Sequence, residues 1–319
     1  MVSSTTEPEQ LRYRVLSRDA GRGVRLSGYG PRIRRPAVPY LLLAPLGFFL
    51  AGFTLIPFVW GILISLQPPL RAANGAITTV TSANFKDVLT DPATLSSLKV
   101  TVEYAALTTV LIIGFSMAAA LALKTVRRGA GVYQLVLLIP LTLAPPVVII
   151  LWQALFDPSG GAANGVLGLF GVPKQGFYES TSQALPLLVA MAVWSNVGFW
   201  TLVLLAALRS LSSEIFEAAE IDGAGAIRTF AFITLPLMKR TTLLASVVLS
   251  SGGLVVFVPA QLLTMGGPAN ATNFLMYTAA QDVLRYGQPG DANAVVVILL
   301  VLIGLVAAVE FRLMRSEDA

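Results

Sequence analysis

The sequence predicts an all-α polytopic membrane protein, a bundle of six hydrophobic spans with both termini in the cytoplasm. Three observations carry that prediction. Apolar runs recur along the 319 residues, charged residues make up only 12% of them, and lysines and arginines gather in alternate connections. A soluble domain carries about twice that charge, and about 20 consecutive apolar residues cross a hydrocarbon core. Length alone would suggest two soluble domains, but the spans make one helical bundle the better reading.

In chain order, residues 1–36 are polar and hold Arg12, Arg14, Arg18, Arg22, Arg25, Arg32, Arg34 and Arg35. They are too polar to form a compact core and suit anionic lipid headgroups. They are no cleavable leader, because the apolar run that follows is too long and lacks a small-residue cleavage site. The bundle occupies residues 37–313, and residues 314–319 are a second cytoplasmic tail. The spans fall at residues 37–66, 100–123, 132–156, 184–208, 242–263 and 294–313. Pro45 and Pro57 interrupt the first and Pro140, Pro145 and Pro146 the third. Such prolines are tolerated where neighbours satisfy the freed carbonyls, and they kink the helix.

Orientation follows from the basic residues. The N-terminal tail, Lys124, Arg127, Arg128, Arg209, Arg228, Lys239, Arg240, Arg312 and Arg315 make seventeen on one side, against Arg71, Lys86, Lys99, Lys174 and Arg285 on the other. The richer side is the cytoplasm, where the N-terminal tail and the even-numbered connections of this multi-pass chain lie.

The chain has no histidine and no cysteine. Imidazole bases, thiol nucleophiles, disulfides and ordinary zinc sites are therefore excluded. No GxxxxGK[ST] run is present, so the usual phosphate-cradling loop of an ATPase is missing as well. With no carboxylate pair inside a span, nothing supports an enzyme.

The connection at residues 209–240 is the informative one. Ser212 or Ser213 can cap a helix with Glu214 in its first turn. Ile215, Phe216, Ala218 and Ala219 give it an apolar side, and Asp222 with Gly223 ends it. A second short helix fits residues 226–232, and Pro236 precedes the next span. Two short helices hinged at a glycine make either a protruding knob or an amphipathic hairpin lying on lipid.

Glu217, Ala218 and Ala219, then Asp222, Gly223 and Ala224, then Ile233, Thr234, Leu235 and Pro236 resemble the EAA coupling loop of ABC importer permeases. The form at Ile221–Ala224 is similar to the binding-protein-dependent sugar importers of the maltose type. Asn84 and Phe85, Leu89, Asp91 and Pro92, Trp194, Ala207 and Leu208, Leu263 and Thr264, and Gly266, Gly267 and Pro268 extend the likeness over residues 37–313. The resemblance implies the type I permease fold and a second homologous permease subunit. It also implies two ABC ATPase domains that carry ATP and magnesium, and an extracytoplasmic substrate-binding protein or lipoprotein. No cofactor on this chain and no nucleic acid are expected. Glu217 would pair with a basic group of the ATPase, Ala218 and Ala219 would pack closely, and Gly223 would make the turn.

A polar path for a sugar needs amides, hydroxyls and aromatic faces inside the bundle. Gln153, Trp194, Asn196, Ser250, Ser251 and Gln261 supply those types, and each also fits plain interhelical hydrogen bonding. Gly252 and Gly253 permit close helix approach or local unwinding. Glu310 can pair with nearby Arg312 or with an interfacial group. Turns at Gly160, Asn164, Gly266, Gly267 and Pro268 are, by the resemblance, where the binding protein would dock. The expected function is the permease of an ATP-driven carbohydrate importer, for a sugar, an oligosaccharide or a glycerol phosphate. The competing reading is a stand-alone secondary carrier of a polar solute, which would bury several ionisable groups at mid-membrane.

Overall fold

The structure is a computed structural model that describes residues 37–67, 80–126 and 128–315. The expectations for the tail 1–36, for residues 316–319, and for Arg71 and Arg127 lie outside the described residues. The described residues form two compact units, one of residues 37–57 and one that begins at Phe58.

In the first unit, α1 (Ala37–Leu50) leads into a π-helical turn, Ala51–Leu55, where the Ile56 N–H donates to the Ala51 carbonyl. Pro57 follows directly. A proline offers no N–H to the carbonyl four residues back and crowds it, and a widened turn absorbs that defect without ending the helix. Phe49 and Phe53 stack on one face at 5.7 Å.

The second unit opens with the end of α2 (Ile56–Ser65) and α3 (Ala83–Thr90). It continues with α4 (Pro92–Thr125), α5 (Ala130–Leu138), α6 (Pro145–Leu155) and α7 (Ala162–Leu169). Then come α8 (Ala184–Arg209), α9 (Ser213–Ile221), α10 (Ala226–Thr229) and α11 (Leu235–Leu254). The last two helices are α12 (Leu275–Leu284) and α13 (Pro289–Arg315). Among the described residues, five helical stretches are long and apolar enough to span a membrane: Tyr40–Ser65, Pro92–Thr125, Ala184–Arg209, Ala226–Leu254 and Pro289–Met314. The bent pair Ala130–Thr142 and Pro145–Leu155 makes a sixth when it is counted as one broken span.

Three of the expected boundaries, and the shape of the third span, are corrected. The second span begins at Pro92, not residue 100, because Asp91 is its N-cap: its carboxylate accepts the Ala93 and Thr94 N–H groups at 3.3 and 2.9 Å, and Pro92 suits the first turn. The Thr94 hydroxyl, bonded to that carboxylate at 2.7 Å, is the largest cause holding Asp91 below the ordinary carboxylate range. The third span is no single rod but bends by 96°. Pro145 and Pro146 withdraw two adjacent donors, and Ala144 takes the extended conformation that a following proline favours. The fifth ends at Leu254 and not at residue 263, immediately after Gly252 and Gly253. The sixth starts at Pro289, five residues before the expected Ala294.

Helices α4 and α8 run in the same direction, and α11 packs against both. The Ser116 hydroxyl of α4 donates to the Val197 carbonyl of α8 at 3.1 Å. Where α4 and α8 end, Met117, Leu123, Leu204, Leu208 and Met238 form one buried cluster. Near their starts Tyr104, Leu188 and Phe274 belong to another. Two glycines permit the closest approaches. A Cβ on Gly253 would lie 2.8 Å from the Ala105 Cα, and one on Gly198 would collide with the Leu137 carbonyl. Asn84, fully buried, donates to the Ser65 and Gln67 carbonyls at 2.9 and 2.7 Å and so closes the end of α2.

Charge divides the two ends. Lys124, Arg128 and Arg209 lie where α4 and α8 finish, the basic end, whereas Asp87, Asp91, Asp282 and Asp291 gather at the opposite, acidic end. Burial, then the charges of Asp291 and Asp91, push the Asp282 carboxyl up to about 6.

Gly198→Ala forces α8 off the α5 backbone and should cost about 1–3 kcal/mol. Gly114→Ala, with open space around it, should be neutral or mildly stabilising. Melting temperatures of the two variants in detergent check this. For Asp282, the folded chain holds the proton more tightly than the unfolded chain does. Its contribution to stability is therefore present at low pH and lost as pH rises through about 6. Asp282→Asn should melt higher than the unmodified chain at about pH 7.5 and lose that advantage at about pH 5.

Candidate functional site

The hairpin after α8 is built from local signals. Ser212 is extended, and its hydroxyl accepts the Glu214 N–H at 3.3 Å, capping α9. Glu214 then sits in the first turn, at the positive end of the helix dipole. At the other end Gly223 has a φ of +73°, which favours glycine. Its N–H donates to the Glu220 carbonyl at 3.0 Å, and the Ala224 N–H to the Ala219 carbonyl at 2.9 Å. That pair of bonds is a Schellman stop, with Ala219 and Ala224 as its apolar contact positions.

The second arm departs from expectation. It is not a separate helix ending at Phe232. Instead α10 passes through a π-helical turn, Phe230–Thr234, into α11, and Ala226–Leu254 is one helical run. Pro236 lies inside that run. The Leu235 N–H donates to the Phe230 carbonyl, so the widened turn does for Pro236 what the turn before Pro57 does in the first unit.

The hairpin has an anchored side and a bare side. The Lys124 ammonium at the end of α4 stands 3.7 Å from the centre of the Phe216 ring. Ala219 is buried and Ala224 half-buried. Glu217, Ala218, Asp222 and Pro236 are exposed, as is Leu235. Three large apolar side chains are barely covered: Ile221, Ile227 and Phe232 are 86%, 85% and 75% exposed.

Within the bundle, two cavities of about 490 and 310 Å³ share Tyr104, Leu141, Ala192 and Asn196 in their walls. The larger adds Thr108, Phe199, Trp200 and Gly252, and the smaller adds Ser195 and Pro140. Three of the polar groups there bond back to their own helices. Thr108 donates to the Tyr104 carbonyl at 2.7 Å, Ser195 to Met191 at 2.9 Å, and the Asn196 amide to Ala192 at 2.8 Å. These bonds leave acceptor oxygens on all three residues, the Asn196 Oδ1 among them.

Of the path residues expected from sequence, only Asn196 lines these cavities. Trp194, its ring 6.0 Å from Trp152, lines a separate apolar groove with Leu107, Phe115 and Pro186. Gln153 is exposed on α6. Ser250 is buried and donates to Glu310, while Ser251 donates to the Val247 carbonyl at 2.7 Å. Gln261 is half-buried, with its Oε1 unpartnered. Sequence reading missed Tyr104, Thr108, Ser195 and Phe199. The one available signal was the proline-dense third span, whose bend supplies Pro140 and Leu141 to the wall.

At the acidic end, Asn164 staples its loop. Its amide donates to the Pro158 and Gln175 carbonyls at 3.1 and 3.0 Å and accepts the Gln175 N–H at 2.9 Å. Gly160 is exposed, with its N–H 3.3 Å from Asp157 Oδ1. In the second loop Gly266 has a φ of +78° and backs onto Tyr277. The Thr272 hydroxyl bonds to the Gly267 carbonyl at 2.6 Å, just before Pro268.

Residues 110–315 match the model of a family described as binding-protein-dependent transport system inner membrane component. The chain is 34% identical over 284 residues to the sn-glycerol-3-phosphate transport system permease protein UgpA of Agrobacterium fabrum, covering 88% of this chain and 95% of that one. It is 31% identical over 296 residues to UgpA of Salmonella choleraesuis, covering 92% and 99%. In fold it is similar to a chain in the crystal structure of a bacterial ABC transporter involved in the import of the acidic polysaccharide alginate. That match has a TM-score of 0.76 at 19% identity, over 98% of this chain and 100% of that one. A chain in the crystal structure of a bacterial alginate ABC transporter in complex with an alginate pentasaccharide-bound periplasmic protein matches with a TM-score of 0.76 at 19% identity, over 87% of this chain and 93% of that one. This chain belongs to the family of binding-protein-dependent transport system inner membrane components, as a multi-pass permease subunit that is not itself a catalyst.

Proposed function

We propose that this permease serves an ATP-driven importer of a carbohydrate or related polyol, glycerol phosphate included, in a bacterial or archaeal plasma membrane. The basic end of the second unit faces the cytoplasm, and the orientation that follows from the basic residues puts the termini on that side as well. There the hairpin of Glu217, Ala218, Ala219, Asp222, Gly223, Ala224, Leu235 and Pro236 is the input for force from a separate ATPase. The observation that carries this reading is the hairpin itself: an exposed carboxylate and bare apolar side chains, joined by unbroken helix to α11. A helix transmits displacement along its axis, so a partner that grips Ile221, Ile227 and Phe232 and moves carries α11 with it.

Two ATPase domains bind ATP and magnesium, a second permease subunit completes the path, and an extracytoplasmic binding protein delivers the solute. The loops at Gly160 and Asn164 and at Gly266, Gly267 and Pro268 face that protein. Solute passes the cavities beside Asn196. Sugars and polyols are rich in hydroxyl donors, and the acceptors at Thr108, Ser195 and Asn196 suit them, with Phe199 and Trp200 as apolar faces. The UgpA relatives are permeases of sn-glycerol-3-phosphate transport systems, which supports the same class of cargo.

Glu217→Lys should leave the protein inserted, lower ATP-dependent uptake by at least about tenfold and reduce co-purification of the ATPase subunit. Uptake at the unmodified rate would remove the coupling role. Asn196→Leu should instead leave the complex intact while slowing uptake, and radiolabelled-solute assays on proteoliposomes separate the two effects.

A further inference from the structure

A carboxylate in a membrane-spanning helix is costly, and one that is kept there has a partner that explains it. Glu310 lies in the last span. Arg312, two residues on, does not share its helix face, and the partners are found on another helix. Ser246 and Ser250, one turn apart on α11, donate to Oε1 and Oε2 of Glu310, the second at 3.3 Å. Ser250 is buried, and its hydroxyl also lies 3.3 Å from the Val247 carbonyl of its own helix. Elsewhere the two helices meet through apolar side chains, with Leu254, Val295 and Leu299 in one cluster. Such contacts set closeness but let helices slide, whereas two directional bonds to one carboxylate fix register.

The other end of this pair of helices is fastened differently. The Leu275 N–H of α12 donates to the Thr101 hydroxyl of α4 at 2.8 Å, and Thr278 bonds to Ser97 at 3.1 Å. Helix α12 packs closely on α13. The last span is therefore tied towards α4 at the acidic end, through α12, and to α11 nearer the basic end.

We propose that Glu310, through Ser246 and Ser250, is the positioning residue that makes the last span move with the hairpin-driven helix. Displacement entering at residues 212–236 passes along α11, crosses to α13 at Glu310, and swings α13 about its attachment at the acidic end. The inference rests on the hairpin being the force input proposed above.

The absence of cysteine from the chain makes the test direct, since two introduced thiols are the only ones it carries. Spin labels at Leu237→Cys, exposed on α11 outside the gripped residues, and Val309→Cys are measured in the full complex in lipid, with and without trapped ATP, alongside solute imported per ATP hydrolysed. With Glu310 present, the label distance should be the same in both states. Glu310→Leu should make the distance change with nucleotide and lower the solute-to-ATP ratio several-fold. Ser246→Ala with Ser250→Ala should reproduce both effects, which covers the case in which the leucine variant misfolds. Glu310→Gln, which still bonds to serine, should retain coupling. An unchanged ratio and a constant distance in the serine double variant would overturn the tie. So would a glutamine variant as defective as leucine, which would instead mark a proton carrier. An unmodified complex that hydrolyses ATP without importing would overturn the force-input reading along with it.

Discussion

Everything in this permease depends on helix continuity between Ala226 and Leu254. A hairpin on a flexible linker could be gripped and moved without consequence for the bundle. A single helical run makes the outer tip and the cavity wall parts of one lever, because Gly252, two residues before the run ends, also lines the larger cavity. The hairpin needs a fixed stop on its other arm, and the Schellman turn at Gly223 supplies it. It also needs a seat, and Phe216 beneath Lys124 gives one at the end of α4.

Prolines do opposite work at different places. Before Pro57 and Pro236 the backbone widens by one residue and the helix goes on. At Pro145 and Pro146 two donors are lost side by side, and the span turns by 96°. The difference is the number of adjacent defects: a π-helical turn re-partners one, but not two after an extended residue. The bend then presents Pro140 and Leu141 to the cavities, so a break in one span becomes a wall of the candidate path.

What was legible in the sequence was what is decided locally. Ser212 as a cap, Gly223 as a stop and the number of spans follow from short-range chemistry and apolar run length. Hydropathy alone puts the start of the second helix too late, because Asp91 and Pro92 begin it ahead of the apolar run. The bend angle was out of reach, since proline chemistry permits a kink but packing sets its size. The cavity was largely hidden, because Tyr104, Asn196 and Gly252 come from three helices and no pattern along the chain joins them. Glu310 shows the same limit: the nearby Arg312 looked like its partner, whereas Ser250 lies 60 residues away.

The central claim is mechanical, and one insertion addresses it. Two glycines placed between Arg240 and Thr241 would leave the hairpin's exposed residues, through Pro236, in their mutual arrangement while breaking the rod behind them. Measured in proteoliposomes with all partner subunits, the insertion should abolish ATP-driven solute uptake while the ATPase stays bound and active. Uptake at the unmodified rate with the rod broken would contradict the account.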